Sequence, residues 1–141
     1  MGKGSYGYPG LRNASHLGRP TRNINSNTAA VRKEFGLTQN GYIAQKSKTN
    51  GKTSRRVYYS TDPLSSAKKL FSTIGKGGVQ STLKGKDGEV YGWTRTMKGG
   101  DIITYRARKS SDGSSVIDIY IHNSHTGIRN QKIHFYKKEN K

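Results

Sequence analysis

Residues 102–136 read IITYRARKSSDGSSVIDIYIHNSHTGIRNQKIHFY, and their alternation sets the architecture. Ile117, Ile119 and Ile121 alternate with Val116, Asp118, Tyr120 and His122. A period of two is the mark of a strand with one buried and one polar face. The run 129–136 behaves alike, with Ile133 and Phe135 inward and Lys132, His134 and Tyr136 on the polar side. In 102–109 the inward set is Ile103, Tyr105 and Ala107, which leaves Thr104, Arg106 and Arg108 outward. Turn chemistry separates these runs: Ser110-Ser111-Asp112-Gly113, and upstream Lys98-Gly99-Gly100, which follows a further strand over 89–97. Together they predict an antiparallel meander sheet of four to five strands.

Upstream, Thr61-Asp62-Pro63 opens the best helix of the chain. Thr61 or Asp62 can cap orphan amides, and Pro63 suits the first helical position. Gly75 closes it, and Leu64, Ala67, Leu70, Phe71 and Ile74 recur at three- and four-residue spacing as one apolar stripe. One main helix packed on the apolar face of the sheet makes the fold class α+β. A short helix over 28–35 ends at Gly36, and a short strand over 56–60 follows a polar segment carrying Asn40-Gly41 and Asn50-Gly51 turns. Residues 1–27, rich in Gly, Asn, Ser, Arg and Tyr, have no apolar periodicity and read as an irregular basic arm, with 28–141 as the compact domain. Tyr6, Tyr8 and Arg12 in that arm are of the type that stacks on bases, or are simply part of a tail.

A three-residue loop at 111–113 pairs Ser110 with Ser114 and therefore Arg106 with Asp118. A two-residue loop would set Arg106 against Ile119 and mix the faces. Aligning Ile119 with Ile133 in the next hairpin sets Asp118 opposite His134 and Tyr120 opposite Lys132. The expected polar face then carries a row of Arg106, Asp118 and His134, flanked by Thr104, Tyr120 and Lys132. A two-residue slip would replace Asp118 by Tyr120 or Val116.

Such a row has a meaning for RNA. Cleavage by the 2′-hydroxyl needs a base, an acid for the leaving 5′-oxygen and positive donors for the phosphate, with no metal. His134 is the candidate base or acid, Asp118 its orienting partner, Arg106 and Lys132 the charge stabilisers, and His122 or His125 the source of a second proton. Thr104, Arg108, Tyr120, Arg129 and Tyr136 are the candidate RNA-binding residues. The plain alternative is a cross-strand ion pair of Arg106 with Asp118 on a solvated face.

Composition agrees with a polyanionic partner. Twenty-six Lys plus Arg against eight Asp plus Glu give a net charge of +18, a self-repulsion that a nucleic acid offsets. The basic residues do not line one long amphipathic helix, and no apolar run approaches a membrane span, so membrane insertion by this domain is not expected. The absence of cysteine rules out disulfides, thiolate zinc sites and a cysteine nucleophile. The dispersed acids suggest neither a metal nor another cofactor.

Six short motifs carry a resemblance over about the last 80 residues: Asp62-Pro63 opening a helix, Gly77-Gly78, Thr104-Tyr105-Arg106, Ser110 to Gly113, Asp118 to Ile121, and Gly127 to Phe135. They resemble the C-terminal toxin modules of bacterial polymorphic toxins, including those on LXG-type and filamentous haemagglutinin-type carriers. The chain departs from that pattern at Ser115, where proline is expected, and in its His122 to His125 loop. The resemblance implies an RNase-like toxin of the barnase/RelE-like group, secreted within a larger carrier and acting on RNA, tRNA included, in the cytoplasm of a target bacterium. It also implies an acidic immunity protein as partner. The rivals are a non-catalytic RNA- or DNA-binding module and a metal-dependent DNase toxin.

Overall fold

Helix α2, Pro63–Ile74, is built as its sequence dictates. The Asp62 carboxylate accepts hydrogen bonds from the backbone N–H and the hydroxyl of Ser65, Pro63 occupies the first turn, and Gly75 donates its N–H to the Phe71 carbonyl. Ala67, Leu70, Phe71 and Ile74 are buried against a sheet, while Leu64 in the first turn is left exposed, outside the stripe expected to include it. Helix α1, Thr28–Phe35, packs on α2 through buried Val31, and Lys69 of α2 meets Glu34 of α1 at 2.8 Å. Gly36, at φ +86°, turns the chain out of α1.

The computed structural model describes residues 18–49, 53–107, 114–122 and 127–138. Seven strands form one sheet: β1 Gln45–Thr49, β2 Thr53–Ser60, β3 Val79–Lys84, β4 Val90–Thr96, β5 Ile102–Arg106, β6 Ser115–Tyr120 and β7 Gln131–Lys137. Their order is β1-β2-β7-β6-β5-β4-β3, with β2 and β7 parallel and every other pair antiparallel. The expected antiparallel meander of four to five strands is thus corrected in strand number and in direction. After β2 the chain crosses the sheet along α2 to the far edge, then returns strand by strand until β7 reaches β2. A helix of 12 residues is about 18 Å long, and with the turn at 75–78 it covers most of the roughly 24 Å between β2 and β3.

Both unexpected strands are edges. β1 reads QKSKT and β3 reads VQSTLK, and neither has the clean alternation of a half-buried strand. An edge strand with polar residues and lysine resists pairing with a stray chain, and it loses the apolar signal for the same reason. The parallel pair has no local signature at all, because it joins residues separated by most of the chain. At Gly92 a Cβ would lie 2.1 Å from the Tyr105 carbonyl oxygen, so only glycine lets β4 run this close to β5.

The core face holds the expected inward residues. Ile103, Tyr105, Ile117, Ile119, Ile133 and Phe135 are buried beneath α2, with Ala107 and Ile121 partly buried at the margin. Burial raises the titration of the Tyr105 phenol above its usual range, and Ser115 beside it acts in the opposite sense.

Within the 1–27 segment expected to be a loose arm, the described part, 18–27, is docked on the body. A 3-10 turn, Ile24–Asn27, is capped by the Asn23 side chain, and Ile24 is wholly buried. The Asn27 amide donates to the carbonyls of Ile74, at 2.8 Å, and Lys76, at 3.0 Å, and its oxygen accepts from Arg22 Nε at 2.8 Å. A buried amide therefore completes the C-terminal turn of α2. Gln131 serves the 37–44 loop in the same way: it accepts from the Ile43 N–H and donates to the Gly41 carbonyl.

Candidate nucleic-acid interface

The register of β5, β6 and β7 places the candidate residues, and it differs from expectation by two residues at both seams. Arg106 lies opposite Val116 and Thr104 opposite Asp118. Across the next seam Asp118 lies opposite Lys132, and Val116 opposite His134. β5 ends at Arg106 and β6 begins at Ser115; residues 108–113 between them, Arg108 included, lie outside the described residues, as does His125. A shift of two residues keeps every side chain on its own face, because strand side chains alternate with period two. The polar face is as expected, but its neighbours are rearranged.

Arg106 and Asp118 still form an ion pair, Nη1 to Oδ2, reaching diagonally across the β5–β6 seam. Each side chain is about one-third exposed, so the pair contributes about 0–1 kcal/mol to stability. Asp118 does not orient His134, which corrects the expected row. The partner of His134 Nδ1 is the Ser114 hydroxyl, at 3.2 Å. The imidazole is 6% exposed, and its neighbours across the two seams, Val116 on β6 and Val57 on β2, are buried as well.

Two further groups join His134 on this face. The ring of Tyr136, two residues on along β7, lies 6.2 Å from the imidazole, and its hydroxyl accepts a hydrogen bond from Arg55 Nη1 at 3.2 Å. Tyr59 on β2 lies beside Tyr136, with ring centroids 6.2 Å apart. Lys132 is exposed next to Asp118, and Thr104 is half-buried on the other side of it. Of the residues assigned from sequence, the fold therefore gathers Arg106, Asp118, Thr104, Lys132, His134 and Tyr136 on one face.

Comparison with protein-family models, with curated proteins and with solved structures found no match to this chain. The resemblance to toxin modules thus rests on the short motifs alone, and the geometry of the face carries the functional argument.

His122 and Arg129 stand apart from this cluster. His122 is exposed beyond the end of β6, its backbone N–H donating to Asp101 Oδ1. Six residues separate it from Val116, the neighbour of His134, which is about 20 Å along an extended strand. It cannot supply the second proton to a reaction at His134. Arg129 is exposed on the approach to β7, where its backbone N–H donates to the Gly41 carbonyl. Tyr120 is 52% exposed on the polar face, near His122. Among the described residues no three His, Asp or Glu side chains are grouped as metal ligands.

Sequence reading missed Arg55, Tyr59 and Ser114. The alternation Val57-Tyr58-Tyr59 marks a strand, but only its pairing with β7 shows that Tyr59 shares the face of His134. Ser114 reads as one more turn serine until the slipped register brings it to the imidazole.

Proposed function

We propose that this domain is a basic endoribonuclease that cuts RNA by attack of the 2′-hydroxyl on the adjacent phosphate, leaving a 2′,3′-cyclic phosphate. The observation that carries this reading is the company His134 keeps. An imidazole tied at Nδ1 to Ser114 lies on the same sheet face as the Tyr136–Arg55 pair, Arg106 and Lys132, in a chain of net charge +18. His134 moves the proton, with Ser114 fixing its orientation. The Tyr136 hydroxyl, beside a guanidinium, replaces His122 as the second proton-transfer group. Arg106 and Lys132 offset charge developing on the phosphate, Arg106 by forked donation and Lys132 as a point charge.

The toxin resemblance adds a setting to the same proposal: delivery by a larger carrier into a competitor's cytoplasm, and an acidic partner that covers this face in the producer. Steered association favours such a partner on a surface of this charge.

One observation favours a second reading. His134 is nearly buried between Val57 and Val116, as a structural histidine would be, and the face would then bind nucleic acid without cutting it. A defined RNA oligomer and its analogue with a single 2′-deoxy residue at the cleaved position separate the two. Cleavage of the first and not the second, unaffected by EDTA, supports the endoribonuclease. An intact ribo-oligomer that is nevertheless bound supports the binding module, and activity abolished by EDTA returns the domain to the metal-dependent nucleases.

A further inference from the structure

Among the described residues, Tyr59 and Tyr120 are the two exposed aromatic side chains of the Phe, Trp and Tyr class, at 51% and 52%. A single exposed tyrosine is ordinary. These two share one face of one sheet, as the pairings of Tyr59 with Tyr136 and of Asp118 with Lys132 require. Each also has an aromatic companion, Tyr136 at 6.2 Å and His122 at 6.4 Å. The companion rings are tilted, by 58° and 35°, and at these spacings neither pair leaves room for a base between its rings. The surface open for stacking is the outward face of each exposed tyrosine.

The two ends are separated by a measurable span. Tyr59 is level with Tyr136, which the β6–β7 register sets at the level of Ser114, six residues before Tyr120. Six residues of strand are about 20 Å, and the two strand steps from β2 to β6 add about 10 Å at right angles, so the ends lie roughly 22 Å apart. Between and beside them are Arg55, Lys132 and Arg106, with Asp118 as the one acid paired into that row. A cationic track with an aromatic face at each end matches a short run of unpaired nucleotides, on the order of four, the lower end of site sizes for single-strand-binding folds. An A-form duplex offers no free base face and would meet this surface only through phosphates and 2′-hydroxyls.

We infer that the polar face is a selective site for unpaired RNA, with Tyr59 and Tyr120 each stacking one base at either end of a stretch of about four nucleotides. This deepens the endoribonuclease reading and rests on it for the identity of the nucleic acid. The substrate class is then single-stranded segments or loops, with tolerance for base identity, because stacking uses the π-face that every base possesses.

The test uses the full chain and a fluorescein-labelled 2′-O-methyl RNA oligomer, which cannot be cut because its nucleophile is blocked. The same strand is offered alone and annealed to its complement, and binding is followed by anisotropy at one fixed salt concentration. The single strand should bind more tightly than the duplex. Tyr59→Ala and Tyr120→Ala should each weaken single-strand binding roughly 5- to 150-fold, the scale of one lost stacking contact, with duplex binding and melting temperature unchanged. Tyr59→Phe should bind as the parent does. Equal affinity for duplex and single strand, or unchanged affinity in both alanine variants, overturns the inference. A wild-type chain that leaves unmodified RNA intact, yet loses single-strand affinity in Tyr59→Ala, keeps the stacking site and removes the cleavage reading. A chain that cuts RNA with unchanged KM in both alanine variants does the reverse.

Discussion

Replacing Asn27 by alanine tests the fastening of the N-terminal segment to the body, and its cost follows from the three bonds the side chain makes. Asn27 is 2% exposed. Its amide nitrogen serves the carbonyl of Ile74, the last residue of α2, and that of Lys76, and its oxygen holds Arg22 Nε. Truncation leaves the buried Ile74 carbonyl without its donor, which costs about 1–3 kcal/mol, and removes a charge-assisted bond to a partly exposed guanidinium, worth about 1 kcal/mol more. A total of about 2–4 kcal/mol in a domain of this size lowers Tm by about 8–16 °C. Asn27→Asp should be no better, since it keeps the acceptor for Arg22 but turns a carboxylate toward two carbonyl oxygens. The assay is thermal unfolding followed by far-UV circular dichroism at neutral pH. An Asn27→Ala protein melting within about 2 °C of the parent would show that these bonds do not fasten the segment, and would restore residues 18–27 to the loose arm that composition suggests.

Two further outcomes follow. If Lys132 contacts a phosphate, Lys132→Ala should reduce the slope of log K against log salt for single-stranded RNA by about 0.7; an unchanged slope places Lys132 outside the interface. Hydrogen bonds from Ser65, first its hydroxyl and then its backbone N–H, hold the Asp62 carboxyl below the usual carboxylate range. A carboxyl depressed in the folded state stabilises above its unfolded pKa, and that contribution is lost as pH falls through the folded value. Asp62→Ala should therefore melt below the parent at neutral pH, with the gap closing below about pH 4. A gap of constant size from neutral to strongly acid pH would contradict this assignment.

The two helices were legible because their ends carry chemistry that acts locally: Asp62 and Pro63 at one end of α2, Gly75 and Gly36 beyond the other ends. The inward face of β5, β6 and β7 was legible because Ile103, Ile117, Ile119, Ile133 and Phe135 repeat with period two. What sequence could not supply was longer in range. β1 and β3 are edges whose polar residues hide their periodicity, and the β2–β7 pair is joined only through the whole meander. Hydrophobic alternation fixes which face a residue occupies but is blind to a slip of two, which is why Asp118 is expected opposite His134 whereas Val116 lies there, with Ser114 reaching the imidazole from two residues before it. Asn27 reads as the end of the arm and Gln131 as one more strand residue, since nothing local marks an amide that will be buried against distant carbonyls.

The burial of His134 also determines which substitution can test its role in cleavage. Alanine at that position would open a cavity and confuse lost chemistry with lost packing. Asparagine keeps most of the volume and an amide within reach of Ser114 but cannot transfer a proton near neutral pH. The direct measurement is the rate at which His134→Asn cuts an RNA oligomer, taken beside its affinity for the uncleavable 2′-O-methyl strand. A proton-transfer role for His134 entails a loss of about 10² to 10⁴ in cleavage rate with affinity for the uncleavable strand preserved. Cleavage at the parent rate by His134→Asn would contradict it.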